Sequence, residues 1–230
     1  MKRIGLIGGM SYESTKDYYD IINKEVNKIL GGSHSAEIYL YSFDYQVLDD
    51  FLHHGGMDQV SKKVSEAAIK LEQAGAEMIL ILANTIHLVA EDVKKQIHVP
   101  LVHIVESTQE AIHSLGMKKV GLLGTKFTME SNLYPSILEK SGIRVLIPSK
   151  EQRDFIHQTI YFELIVGKLL ESSRKKFIDI IEDLTKQGCE GIILGCTEIP
   201  LLIKQEDVPV RIFNTTKIHA LSAVKKAFEE

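Results

Sequence analysis

The chain has 230 residues, 44% of them hydrophobic and 25% charged, with a formal net charge of −4. This composition excludes a disordered chain, a collagen-like fibre or a coiled-coil rod, and its acidic balance argues against nucleic acid or an anionic membrane as the main partner. Two cysteines, Cys189 and Cys196, are too few for a disulfide framework or a four-cysteine zinc site, so a thiol that matters here matters singly.

Met1–Met10 has a basic start and a short apolar run, but Tyr12, Glu13 and Ser14 follow at once, so no secretory signal is read there. No apolar run is long enough to span a bilayer, and a cytoplasmic protein is expected. In chain order, strands are predicted over Ile4–Ile7, Glu37–Tyr41, Met78–Leu82, Leu101–Val105, Val120–Leu123, Val145–Ile147, Gly191–Leu194 and Val210–Phe213. Their apolar runs are continuous, as in parallel strands covered on both faces. Helical patterns are predicted over Asp17–Ile29, Gln59–Ala74, Ser107–Leu115, Ser131–Lys140, Asp154–Leu164, Arg174–Gln187 and Lys217–Phe228. Such alternation means an α/β fold with mainly parallel sheets.

Internal similarity divides the chain. Lys2–Gly9 matches Lys118–Thr125, Leu71–Leu82 matches Leu184–Gly195, and Val99-Pro100-Leu101 matches Val208-Pro209-Val210, in the same order and at nearly equal offsets. Two similar α/β domains with parallel sheets, related by a pseudo-twofold axis, are expected: residues 1–103 plus 214–230, and residues 104–213. Ligands in such sheets bind beyond the carboxyl ends of the strands, so an active-site cleft between the domains is the expectation.

The strand ends carry the candidate chemistry. Gly8 and Gly9, followed by Met10, Ser11, Ser14 and Thr15, form a turn and cap suited to an anion; the spacing is not that of a dinucleotide or P-loop motif. Thr125 and Thr128 offer hydroxyls at the matching strand end. Gly195-Cys196-Thr197-Glu198 ends another strand. A helix start beside Cys196 lowers a thiol pKa, whereas Glu198 raises it. Thr197 is a candidate donor to a substrate carboxylate, and Cys189, before its strand, reads as structural. A small buried hydrophobe is the blander fate of Cys196. The repeat aligns Cys196 with Ala83, followed by the polar Asn84 and Thr85, so the matching position has no ionisable group. His53, His54, His87, His103 and His219 show no metal-ligand spacing, and no metal is expected. His87 reads as a capping, core or cleft residue, and His219 as a helix cap.

Ile4–Thr15, Ala83–His87, Leu122–Met129 and Gly195–Ile199 together resemble the cofactor-independent aspartate/glutamate racemase family, over essentially the whole chain. Cys-Thr-Glu at 196–198 is similar to the aspartate-racemase branch. The resemblance implies two facing α/β domains, no pyridoxal phosphate or other cofactor, and two catalytic residues that move the Cα proton from opposite faces. It implies a small amino-acid or carboxylate substrate and a homodimer. Carried over by position, Cys196 is one acid/base, and Gly9, Met10, Ser11, Asn84, Thr85, Thr125, Thr128, Thr197 and Glu198 bind substrate. Ala83 departs from the pattern, because the family has Cys or Thr there. Thr85, His87, Tyr12 or a water are the candidate second proton carriers. Leu52 stands near, and Phe162 at, a place where family members carry polar side chains, so either Lys126 or Lys168 substitutes as partner of a distal carboxylate or the substrate is more apolar. The expectation is an amino-acid racemase for aspartate, glutamate or a broader set. The alternatives are a single-thiol decarboxylase or lyase of the same superfamily, or a catalytically silent carboxylate binder.

Overall fold

The computed structural model describes residues 1–229. Eight strands alternate with helices: β1 Ile4–Gly8, α1 Tyr12–Leu30, β2 Ile38–Ser42, α2 Tyr45–His53, α3 Met57–Gln73, β3 Met78–Ile81, α4 Ala90–Lys94, β4 Leu101–Val102 and α5 Ile104–Ser114. Then come β5 Lys119–Gly124, α6 Lys126–Met129, α7 Pro135–Leu138, β6 Arg144–Leu146, α8 Lys150–Thr159, α9 Glu171–Lys186, β7 Gly191–Gly195, α10 Ile199–Leu202, β8 Arg211–Asn214 and α11 Thr215–Phe228. The chain divides into two compact units. The first is Met1–Ile104 with the segment from Thr216 onward, and the second is Val105–Thr215.

Each unit holds a four-stranded parallel sheet. The strand orders are β2-β1-β3-β4 and β6-β5-β7-β8, the same order once the second set is renumbered. The likeness reaches single atoms. In the first unit the Glu77 carboxylate accepts the Arg3 N–H at 2.9 Å, while the Glu77 N–H donates to the Arg3 carbonyl at 2.8 Å. In the second, Glu190 does the same with Lys119, at 2.9 and 2.8 Å. Gly5 and Gly121 occupy matching points on β1 and β5. A Cβ on Gly5 would lie 2.6 Å from Ile79 Cδ1 and 3.3 Å from Leu71 Cβ; on Gly121 it would meet Ile192 Cδ1 at 2.7 Å and Leu184 Cβ at 3.5 Å. The paired helix and strand side chains are those the repeat aligns.

The core of the first unit explains the continuous apolar runs. Ile4, Leu6, Met78, Leu80 and Val102 from the sheet pack on Tyr18, Ile22 and Val26 of α1 and on Ala220, Ala223 and Val224 of α11. Each fully buried aliphatic side chain contributes about 1.5–3 kcal/mol.

Several predicted elements differ, among them α1, which starts at Tyr12 rather than Asp17. β4 stops at Val102, and His103–Val105 is not strand: the Ile104 N–H donates to the His87 ring at 3.1 Å instead of to a neighbouring strand, and α5 starts there. The helix predicted over Ser131–Lys140 shrinks to α7 and a 3₁₀ turn over Glu139–Ser141. Ser131 Oγ takes the Leu133 N–H at 3.3 Å, a local bond that competes with helix, and Pro135 accepts only the first turn. The helix predicted from Asp154 begins at Lys150, because Ser149 and Gln152 close a capping box, and it ends in a π-helical turn over Ile160–Leu164. α2 went unpredicted, although Asp44 caps it by accepting the Gln46 N–H at 3.2 Å.

The β1–α1 turn sets one testable cost. Gly9 has φ +86°, and a Cβ there would run into the Phe43 amide nitrogen and carbonyl oxygen. Gly9→Ala is expected to lower unfolding stability by about 2–4 kcal/mol, from the left-handed strain plus forced backbone displacement. Urea titration reads this directly; a loss below about 0.5 kcal/mol, the range of an ordinary surface substitution, would contradict it.

Candidate active site

Parallel pairing gathers the predicted residues at the carboxyl end of each sheet. In the second unit Gly124 is the register partner of Gly195, so Thr125 and Cys196 are the next residues on neighbouring strands. Gly124 must be glycine, since a Cβ would lie 2.9 Å from the Gly195 carbonyl oxygen. In the first unit Leu82 donates its N–H to the Ile7 carbonyl at 2.9 Å, which sets Gly8-Gly9 beside Leu82-Ala83.

At the end of β7, Cys196, Thr197 and Glu198 are all buried. The Cys196 thiol donates to Glu198 Oε2 at 3.0 Å, and the Thr197 hydroxyl donates to the same oxygen at 2.7 Å. Burial, and then the Glu198 carboxylate, push the Cys196 thiol well above the ordinary thiol range. The backbone N–H groups of Glu198 and Ile199 favour thiolate but do not prevail. The thiol is therefore raised, not lowered as a helix start beside it would have it: α10 is a four-residue turn with Glu198 itself at its cap. Thr197 and Glu198, read as substrate binders, are tied to each other and to Cys196. Cys189 lies before β7, and burial raises its thiol as well. At the neighbouring strand end Thr125 Oγ1 accepts the Thr128 N–H at 3.3 Å and caps α6; the two hydroxyl oxygens are 3.3 Å apart and buried.

In the first unit the glycine turn closes on itself. The Gly9 N–H donates to Thr15 Oγ1 at 2.9 Å, and that hydroxyl donates to the Ser11 carbonyl at 2.9 Å. The expected anion-binding N–H of Gly9 is thus engaged by Thr15. Met10 is buried and Ser11 half-buried. Ala83 and Asn84 are buried and Thr85 is half-buried. Tyr12 is 67% exposed.

Below Ala83 lies a feature that the histidine spacing did not reveal. His87 is buried, with Nδ1 2.8 Å from the Ala83 carbonyl oxygen and Nε2 accepting the Ile104 N–H. This fixes the neutral tautomer: Nδ1–H donates to the carbonyl, and Nε2 is the acceptor. His87 as second proton carrier is a corrected expectation, because both ring nitrogens are committed. Burial, with His103 and His219 adding to it, holds its pKa well below the ordinary range. Its ring centroid lies 4.6 Å from His103 and 5.7 Å from His219. His219 is no helix cap either. Fully buried within α11, it donates from Nε2 to the Val102 carbonyl at 2.9 Å and takes the Tyr18 hydroxyl on Nδ1 at 2.9 Å. Burial lowers its pKa to about 3. The visible signal was only that His219 falls on the apolar face of its helix.

Lys126 pairs with Asp154, so a distal carboxylate would have to displace that partner. Leu52 is buried, Phe162 is 72% exposed, and Lys168 is exposed. Among the described residues no group of three His, Cys, Asp or Glu side chains is arranged to hold a metal, and no helix is long and apolar enough to cross a membrane.

Comparison with known proteins gives a consistent picture. The profile of the Asp/Glu/Hydantoin racemase family matches residues 7–223. The broad specificity amino-acid racemase RacX of Bacillus subtilis is 26% identical over 214 residues, covering 90% of this chain and 91% of that protein. A crystal structure from Yersinia pestis, described as a candidate Asp/Glu racemase, is 44% identical with TM-score 0.94 and covers 100% of both chains. An aspartate racemase homologue from Pyrococcus horikoshii OT3 is 38% identical with TM-score 0.84, again over 100% of both chains.

Proposed function

The chain belongs to the Asp/Glu/Hydantoin racemase family, and from that premise we propose that it is a pyridoxal-phosphate-independent amino-acid racemase with Cys196 as one acid/base. Aspartate and glutamate head the substrate set, with broader specificity following the likeness to RacX. The observation that carries the reading is the buried, hydrogen-bonded Cys196 thiol at a strand end. Inverting a stereocentre requires a proton to leave one face of Cα and return to the other. A thiol suits this because its pKa is tunable towards working pH. The carbanion gains from donors aimed at the substrate carboxylate, a role we assign to Ser11, Asn84, Thr85, Thr125 and Thr128, with Gly9 and Met10 shaping the turn and the Thr197 hydroxyl committed to Glu198. The enzyme is read as a cytoplasmic homodimer that needs no cofactor.

Chiral chromatography tests the activity. L-aspartate or L-glutamate is expected to yield its D-enantiomer, and the reverse; a full panel of amino acids left enantiopure would overturn the reading. One observation favours a second reading, single-thiol chemistry such as decarboxylation. Ala83 has no ionisable group, and His87 beneath it has none of its ring nitrogens uncommitted. Under that reading a substituted malonate releases CO₂ while amino acids stay enantiopure. Ala83→Cys separates the cases further. If the rest of the site is competent for racemisation, restoring a second thiol raises the rate by about 10²-fold or more; an unchanged rate contradicts that competence.

A further inference from the structure

We propose that Glu198 is a positioning residue for Cys196: its buried carboxylate accepts the thiol hydrogen, keeps the sulfur protonated between turnovers and makes Cys196 enter the reaction as a proton donor to Cα. This deepens the reading of Cys196 as an acid/base and rests on it. The geometry carries it. One oxygen, Glu198 Oε2, accepts both the Cys196 thiol at 3.0 Å and the Thr197 hydroxyl at 2.7 Å. An ionised carboxylate is an acceptor only, so it needs the hydrogen to stay on sulfur. Thr197 anchors the carboxylate, so it cannot swing away from sulfur without losing a second bond. A thiolate 3.0 Å away would set two anions in contact inside a buried turn.

The opposite pull is built into the same turn. The backbone N–H groups of Glu198 and Ile199 approach the sulfur and favour thiolate. They offer a place for the charge once the proton has gone. In the step itself the S–H bond breaks, the carbanion electron pair forms the Cα–H bond, and the negative charge ends on sulfur. Cys196 regains a proton from water, or from Cα when the reaction runs in reverse. Among the described residues Glu198 is the charge that acts on this sulfur. Two nearby charged groups have other partners: Glu163, in the π-helical turn packed on α10, accepts the Ser173 hydroxyl, and Lys126, on α6, pairs with Asp154; Lys119 and Arg211 sit at the opposite, amino ends of β5 and β8.

The test is an ultraviolet thiolate titration of the full chain carrying Cys189→Ala, which leaves Cys196 as its single thiol. The parent is expected to ionise only at strongly alkaline pH. Glu198→Gln is expected to lower the midpoint by at least about one pH unit, a tenfold change in ionisation constant, because the repulsion goes and the two N–H groups stay. Glu198→Asp keeps the charge but draws it back from sulfur, and is expected to give an intermediate midpoint. A Glu198→Gln curve superimposed on the parent, with circular dichroism unchanged, overturns the proposal. Should that variant fail to fold, an Asp midpoint identical to the parent overturns it instead. The titration needs no substrate, so failure of the racemase reading shows separately, as parent protein that leaves every amino acid enantiopure.

Discussion

Replacing Cys196 by serine is expected to lower Cα proton exchange by about 10²–10⁴-fold, the range general acid–base groups contribute. The substitution keeps a small polar side chain at a site that is 8% exposed, so the fold is expected to survive. A hydroxyl donates to Glu198 Oε2 as readily as the thiol does, and the buried turn keeps its hydrogen bonds. What is lost is the more acidic of the two proton carriers, since in the same turn an alcohol ionises far above a thiol. Initial rates with aspartate and glutamate, measured beside the circular dichroism of both proteins, separate lost chemistry from lost structure. A folded serine variant with more than about half the parental rate would remove Cys196 from the mechanism.

Acid is expected to destabilise the first unit well before its carboxylates titrate. His87 and His219 are buried and neutral, with pKa values held down chiefly by burial. For His219 the folded value is about 3 against an ordinary 6.5. A folded pKa below the unfolded one means that the unfolded chain binds more protons as pH falls. Stability from these groups is therefore fully present above about pH 6.5 and declines below it, by about 1.4 kcal/mol per pH unit for His219 and in the same direction for His87. Between pH 7.5 and pH 5 His219 alone removes about 2 kcal/mol, a visible share of the 5–15 kcal/mol typical of a domain, and His87 adds a loss of the same sign. For His87 the reason is visible in the bonds: a proton on Nε2 would set an N–H against the Ile104 N–H. Urea unfolding at stepped pH gives the slope, and His219→Gln is expected to reduce it by about one proton. A stability profile flat from pH 7.5 to pH 5 would contradict the assignment of neutral, buried rings.

The alternation of apolar runs and helical patterns made both parallel sheets legible, because strands buried on both faces have no polar side to confuse the period. The repeat was legible for the same reason at finer scale. Gly5 and Gly121, Glu77 and Glu190 are fixed by close packing or by strand-end bonds, which tolerate few residue types. Irregular ends were less readable. β4 terminates at Val102 because a ring 15 residues earlier takes the next-but-one N–H, a tertiary bond that no local propensity encodes. α7 is short because Ser131 and Pro135 act together, and each alone is compatible with a longer helix.

The candidate site was legible by position more than by chemistry. Strand-end logic and the repeat pointed to Cys196, Thr125, Asn84 and Ala83, and the register puts Thr125 and Cys196 on neighbouring strand ends. What each polar group is bonded to was not readable. The Gly9 N–H meets Thr15, Lys126 meets Asp154, and Thr197 and Cys196 share one oxygen of Glu198. The direction of the thiol shift turned on that last contact and on burial, both products of folding. The histidines were unreadable for a related reason: His87, His103 and His219 are far apart in sequence, and only the packed unit brings their rings within 6 Å of His87.

The most direct measurement is proton NMR of enantiopure aspartate and glutamate incubated with the protein in heavy water. Loss of the Cα proton signal, with deuterium in the inverted enantiomer and no such loss for Cys196→Ser, is the predicted result. A Cα signal that persists undiminished for every amino acid offered would contradict the central role of Cys196 as a carrier of the Cα proton.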